Sequence, residues 1–63
     1  MEDFQKRVVV ERDELQEKMH NLSDFANSPT FHDLDDDEQS RINRQFMIME
    51  LYANTLNERI NNF

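Results

Sequence analysis

The side chains best suited to chemistry in this sequence lie in an acidic run between two largely apolar stretches, at Asp33, Asp35, Asp36, Asp37 and Glu38. A calcium-binding EF-hand loop begun at Asp33 would need glycine at its sixth position and glutamate at its twelfth. Those positions hold Glu38 and Arg44, so the run does not predict a metal site. It is typical of a helix start, because acidic side chains are stabilised by the positive end of the helix dipole. As an alternative, Asp33, Asp35, Asp36 and Asp37 form an acidic docking tip that imitates a nucleic-acid phosphate edge and binds a basic protein.

His20, Ser23 and Asp24 share one helix face and superficially resemble a hydrolytic set. Side chains that project in parallel from one exposed helix do not assemble a nucleophile, a base and an oxyanion site. His20 and His32 are two separate histidines, too few for a zinc site. The sequence therefore predicts a protein that is not an enzyme, with no catalytic residue, no metal and no cofactor.

A row of heptad-spaced side chains runs along the C-terminal third of the chain. Its members are Arg41, Gln45, Ile48, Tyr52, Thr55 and Arg59. The favoured interpretation is the flank of a helical bundle, where arginine and glutamine border the core. The alternative is an anionic-ligand site formed by Arg41, Arg44, Tyr52 and Arg59, with arginine on phosphate and tyrosine stacked on a base.

Composition limits the classes of fold and partner. The chain has 63 residues, no cysteine, no glycine and one proline, which favours a single domain of long helices over a sheet. Its net charge of −7 disfavours direct binding to nucleic acid. No apolar stretch is long enough to span a membrane, and the acidic start Met1-Glu2-Asp3 is unlike a signal peptide, so we expect a cytoplasmic protein.

Apolar periodicity predicts an all-α, antiparallel two-helix hairpin, with a helix over residues 2–26, a connection over 27–34 and a helix over 35–62. In the second helix the apolar side chains alternate in spacings of four and three, which is the pattern of a coiled-coil seam. This heptad seam comprises Ile42, Phe46, Met49, Ala53, Leu56, Ile60 and Phe63. The first helix has a stripe from Phe4 to Ala26 with a polar gap at Glu11 and Arg12. We expect Asn27 to end that helix in a left-handed conformation and Asp35 to cap the second helix.

The second helix is also apolar away from its seam. At 100° per residue, Ile48 points about 120° and Leu51 about 180° from the seam, and Val8-Val9-Val10 shows a similar excess in the first helix. We expect the two excesses to meet at one level of the hairpin and to form an interface. Its predicted residues are Val9, Val10, Met47, Ile48, Leu51 and Tyr52. The hairpin is therefore predicted to assemble as a helical bundle or small oligomer, most simply a dimer forming a four-helix bundle, with a higher ring left open.

A set of positions spread over nearly the whole chain resembles a group of short, largely uncharacterised helical-hairpin proteins of tailed bacteriophages, including crAss-like phages. The set comprises Phe4, Arg7-Val8, Glu11, Glu14-Leu15, Lys18, Leu22, Phe25, Ser28-Pro29, Phe31, Leu34, Glu38-Gln39, Gln45, Met49, Tyr52, Leu56 and Arg59-Ile60. The resemblance implies a phage accessory protein made in the bacterial cytoplasm, and it brings no catalytic motif with it.

By analogy with small phage proteins, the leading functional hypothesis is stoichiometric binding that inhibits or sequesters a host defence component, as a homo-oligomer. The expected partners are a second copy of the chain and either a host protein or a small nucleotide. One alternative is an oligomeric sponge that binds an anionic, cyclic nucleotide at subunit interfaces. The other is the acidic docking module.

Overall fold

The computed structural model describes residues 1–63 and contains three helices: α1 (Asp3–Ala26), α2 (Pro29–Asp33) and α3 (Asp36–Asn61). The two long helices α1 and α3 pack side by side in opposite directions, and α2 forms one turn in the connection between them. The predicted all-α hairpin is confirmed. The Cα atoms fill a rod of 46 × 15 × 13 Å, so no side chain is far from solvent. None of the helices combines the length and the apolar character needed to cross a membrane.

The start of α3 carries the predicted cap. The Asp35 side chain accepts a hydrogen bond from the Glu38 backbone N–H at 2.7 Å, which satisfies one of the free donors of the first turn. The Glu38 carboxylate accepts from Arg41 Nε at 2.9 Å instead of returning to the Asp35 backbone, so only one half of a capping box forms. At the start of α1, the Gln5 side chain accepts from the Glu2 backbone N–H at 2.8 Å.

The end of α1 differs from the expectation for Asn27. Its backbone lies at φ −95° and ψ 4°, and no residue of the chain has a positive φ, so the predicted left-handed terminator is wrong. The side chain of Asn27 instead donates to the Ser23 carbonyl at 3.0 Å. Ser28 then bridges two helices, because its hydroxyl donates to the Phe25 carbonyl at 2.6 Å and accepts from the Phe31 N–H. These two side chains donate hydrogen bonds to carbonyl groups in the last turn of α1, so the helix ends without a left-handed residue.

The core lies between the apolar stripe of α1 and the heptad seam of α3. It consists of four buried side chains, Val8, Leu15, Ala53 and Leu56, with Met19, Met49 and Ile60 packed partly against them. At the connection, buried Phe31 packs edge-to-face on Phe25 with ring centroids 6.2 Å apart. Only five of the 63 residues are buried. The hairpin therefore has a thin core, and most of its apolar contact is made at half-buried positions.

The polar gap in the α1 stripe has a structural role. Arg12 is half-buried, and its guanidinium Nη1 donates to the Asn57 side-chain oxygen of α3 at 2.9 Å. Arg12 Nε also contacts the Asp13 carboxylate at 2.9 Å. A polar residue thus spans the two helices at the level where the apolar stripe is interrupted.

Candidate binding surface

The most exposed apolar side chains in the helices lie on the side of α3 that faces away from α1. Met47 is 65% exposed, Ile48 59% and Leu51 69%, whereas Leu56 on the opposite side of the same helix is 1% exposed. We call these three residues the back face. Soluble proteins rarely leave a contiguous patch of large apolar side chains uncovered in the middle of a helix unless it binds something. Tyr52 borders the back face and is also exposed.

The sequence predicts that the valines of α1 extend the back face, but in the structure they do not. Two contacts indicate the register of the hairpin. Arg12 of α1 bonds to Asn57 of α3, and the ring of Phe63, just beyond the end of α3, lies 5.8 Å from the ring of Phe4. This register places Val10 level with about Glu58, roughly 10 Å along the axis from Leu51 at 1.5 Å per residue. Val9 is half-buried and Val10 exposed. The expectation that the valine triplet lies level with the middle of the second helix is therefore wrong, and Val10 stands apart from the back face.

The predicted anionic-ligand residues are exposed but are not gathered at one point. Arg41 and Arg59 are eighteen residues apart on α3, which is about 27 Å at 1.5 Å per residue. Arg41 is already paired with Glu38 at 2.9 Å, whereas Arg44 and Arg59 have no acidic partner within the chain. A single hairpin therefore cannot bring all of these arginines to one small ligand.

The structure contains an open groove that the sequence did not predict. It lies between α1 and α3 on the half of the hairpin near the connection and has a volume of about 370 Å³, within the range of small-molecule sites of about 300–1,000 Å³. Its lining residues are Lys18, Asn21, Leu22, Phe25, Gln45 and Met49. The signal that could have revealed it is the spacing of Lys18, Asn21 and Phe25, which share one edge of α1 beside its apolar stripe.

The groove is lined by both apolar and polar side chains. Leu22, Phe25 and Met49 supply apolar surface, while Lys18 offers an ammonium group without an acidic partner. Gln45 is the one member of the predicted heptad-spaced row that lines it. The groove is largely open to solvent, so it is a shallow surface feature and not an enclosed pocket.

The remaining sequence candidates lie at exposed positions. Asp33, Asp35, Asp36 and Asp37 are all exposed. Asp35 is the cap of α3, and Asp36 and Asp37 lie in its first turn near the positive end of the helix dipole, whereas Asp33 is the last residue of α2. His20 contacts Asp24 at 3.4 Å with both side chains more than 70% exposed. No group of three or more histidine or acidic side chains is placed to hold a metal ion.

The comparisons with known proteins place the chain in one family. A family model described as Sequestin matches residues 2–62, which is both long helices and the connection. No curated protein and no solved structure matches the chain. Because the match covers almost every residue of the hairpin described above, the chain belongs to the Sequestin family.

Proposed function

We propose that the chain is a phage-encoded accessory protein that acts in the bacterial cytoplasm by stoichiometric binding, as a homo-oligomer that sequesters a host defence component. Binding, and not catalysis, is the activity in this proposal. The family to which the chain belongs supports the idea of sequestration through its name, Sequestin. The phage origin rests on the resemblance of the sequence to small phage hairpin proteins.

The observation that carries the homo-oligomer is the back face. Leu51 is 69% exposed in the middle of a helix whose other side already packs on α1. A single hairpin covers only one of two opposite apolar sides of a helix, and a large apolar patch left exposed in this way is typical of an interface. The thin core of five buried residues adds to the argument, since a chain of this size gains stability from association.

A small anionic nucleotide is the second candidate for the sequestered component, and the groove is the observation that supports it. The groove has the volume of a small-molecule site, an aromatic side chain at Phe25 and a free ammonium group at Lys18. Tyr52 and Arg59 are exposed on α3 and supply further stacking and phosphate-binding groups if an oligomer brings two copies together.

Native mass spectrometry of tagged protein purified from the bacterial host tests this proposal. We expect a homo-oligomer that carries additional mass at a fixed ratio to the chain, either a small molecule or a host protein. Bare chain at every concentration, with neither kind of added mass, would contradict sequestration. The size of the added mass decides between the two candidates.

A thermal-shift assay against cyclic and linear nucleotides tests the second candidate by itself. A ligand at 100 times its dissociation constant adds about 2.7 kcal/mol to the stability of the protein. Lys18→Ala should abolish the shift, whereas Lys6→Ala, which removes the same charge from α1 outside the groove, should preserve it. Equal shifts for both variants would exclude the groove as the nucleotide site.

A further inference from the structure

We propose that two copies of the chain pair along the back faces of α3, with the two α3 helices antiparallel and related by a two-fold axis near Met49 and Glu50. The result is a flat layer of four helices in the order α1, α3, α3, α1. This proposal rests on the homo-oligomer proposed above and specifies its interface. It differs from the four-helix bundle that the sequence predicted as the simplest dimer.

The outer side of α3 carries a second heptad pattern opposite the first. Its positions are spaced four, three, four, three and four residues apart: Arg44, Ile48, Leu51, Thr55, Glu58 and Asn62. All six are exposed and lie roughly 180° from the seam at 100° per residue. The Thr55 hydroxyl donates to the Leu51 carbonyl at 3.0 Å, so its hydrogen bond is satisfied within the helix and its methyl group is available for packing. The spacing is that of a coiled-coil surface awaiting a second helix.

The charges along this outer seam select the direction of the second helix. Arg44 lies on one side of the apolar centre and Glu58 on the other, and neither has an ion-pair partner within the chain. A parallel pair would place Arg44 against Arg44 and Glu58 against Glu58, which repel. An antiparallel pair places Arg44 of each copy near Glu58 of the other copy, so both pairs attract.

The antiparallel arrangement also fits the length of α3. Placing Ile48 opposite Leu51 of the second copy aligns residues 38–61 of both helices, an overlap of about 36 Å at 1.5 Å per residue. Nearly all of α3, which spans Asp36–Asn61, is then paired. Two apolar layers lie beside the axis, and the charged side chains of the outer seam flank them.

The distribution of charge keeps α1 at the outside of the layer. Within α1 six acidic and four basic side chains give a net charge of −2, whereas residues 38–61, the part of α3 that overlaps in the antiparallel pair, have three acidic and three basic side chains and no net charge. The outer side of α1 presents Val10 among Asp13, Glu17 and Asp24, all exposed. Contact between two α1 helices would bring these carboxylates together, whereas contact between two α3 helices has almost no net charge to overcome.

Sedimentation equilibrium of the purified full chain tests the surface. The wild-type chain should have twice the 7.7 kDa mass of one chain at micromolar concentration. Leu51→Glu should give the mass of one chain, while the matched variant Val10→Glu on α1 should leave the dimer intact. Far-UV circular dichroism shows whether each variant is still helical. If Leu51→Glu stays dimeric, another surface mediates assembly, and this inference fails while the proposed function stands. A wild-type chain that sediments as a monomer would refute the homo-oligomer as well.

Two measurements test the direction of pairing. The chain has no cysteine, so Asn61→Cys allows one spin label per chain, and antiparallel copies should place the labels about 35 Å apart at 1.5 Å per residue. A parallel pair would place the labels within roughly 20 Å, given interaxial distances of about 8–10 Å.

The second measurement reverses a charge at the interface. Arg44→Glu should raise the dimer dissociation constant about tenfold, since two surface pairs turn from attraction to repulsion. Adding Glu58→Arg to this variant should return the dimer dissociation constant to the wild-type value. A label distance within roughly 20 Å would overturn the antiparallel arrangement, and so would a double variant whose dissociation constant is no lower than that of Arg44→Glu. Neither result would contradict the dimer itself.

Discussion

Replacing Leu56 by alanine tests the packing of the hairpin core most directly. Leu56 is 1% exposed, the most completely buried side chain in the chain, and packs in a cluster with Val8, Leu15 and Ala53. Truncation removes apolar contacts and leaves a cavity that the surrounding helices fill only in part. Leucine-to-alanine changes at buried positions cost about 2–5 kcal/mol.

That cost is large relative to the stability available to this chain. At about 0.05–0.15 kcal/mol per residue, the 63 residues correspond to roughly 3–9 kcal/mol for the folded state. We expect a value in the lower half of the substitution range, about 2–3 kcal/mol, because the rod is narrow and its half-buried neighbours can relax into the cavity. Leu56→Ala should therefore remove at least about a fifth of the free energy of unfolding, and most of it if the stability lies at the low end of that range.

The assay is urea unfolding followed by far-UV circular dichroism at several protein concentrations. The matched control is Leu51→Ala, the same substitution five residues earlier on α3 at a side chain that is 69% exposed. In the dilute monomer, Leu51→Ala should change the free energy of unfolding by no more than about 0.5 kcal/mol, as surface substitutions do. At high concentration it should lower the stability, because the dimer interface is weakened.

Two results would refute this reasoning. If Leu56→Ala costs less than about 1 kcal/mol, below the range for buried leucine, the cluster around Ala53 is not the core of the folded chain. If Leu51→Ala costs as much as Leu56→Ala at the lowest concentration, the back face is buried within one chain. The hairpin packing would then be wrong.

Three further changes test individual contacts. Asp35→Ala should lower the free energy of unfolding by about 1 kcal/mol, measured by thermal melting, because the Glu38 N–H loses its acceptor; no loss would show that the cap is not formed in solution. A double-mutant cycle of Arg12→Ala and Asn57→Ala should give a coupling energy of about 0.5–1.5 kcal/mol for their 2.9 Å hydrogen bond; additive effects would exclude that contact. Phe31→Ala should cost about 3 kcal/mol, since this buried side chain closes the end of the core, and urea unfolding should detect it.

Controls for these changes lie in the same regions of the chain. Ser40→Ala, at an exposed position of α3 outside the first turn, should leave the melting temperature close to that of the wild type. Thr30→Ala, at an exposed position next to Phe31 in α2, should cost far less than Phe31→Ala. If Thr30→Ala lowers the free energy of unfolding as much as Phe31→Ala does, the α2 turn stabilises the hairpin through its backbone and not through the buried ring of Phe31.

The sequence by itself determined the all-α hairpin and the residues of its seam. Ala53 and Leu56 are buried where the alternating four-and-three spacing predicts, because that spacing keeps one side of a helix facing its neighbour. Asp35 caps α3 as predicted, since a cap depends on residues three positions apart and is a local property. The exposed back face at Ile48 and Leu51 also followed from helical geometry alone.

Only the tertiary structure decided what depends on the register between the two long helices. The Phe4–Phe63 and Arg12–Asn57 contacts place Val10 away from the back face, which no spacing within one helix could reveal. The groove at Lys18 and its neighbours exists because the edges of two helices meet there. The conformation of Asn27 was likewise decided by contacts along the folded turn, where its own side chain and Ser28 take up carbonyls that a left-handed residue would otherwise satisfy. Periodicity defines which side of each helix is apolar, but the level at which two such sides meet is set by packing between residues distant in the chain.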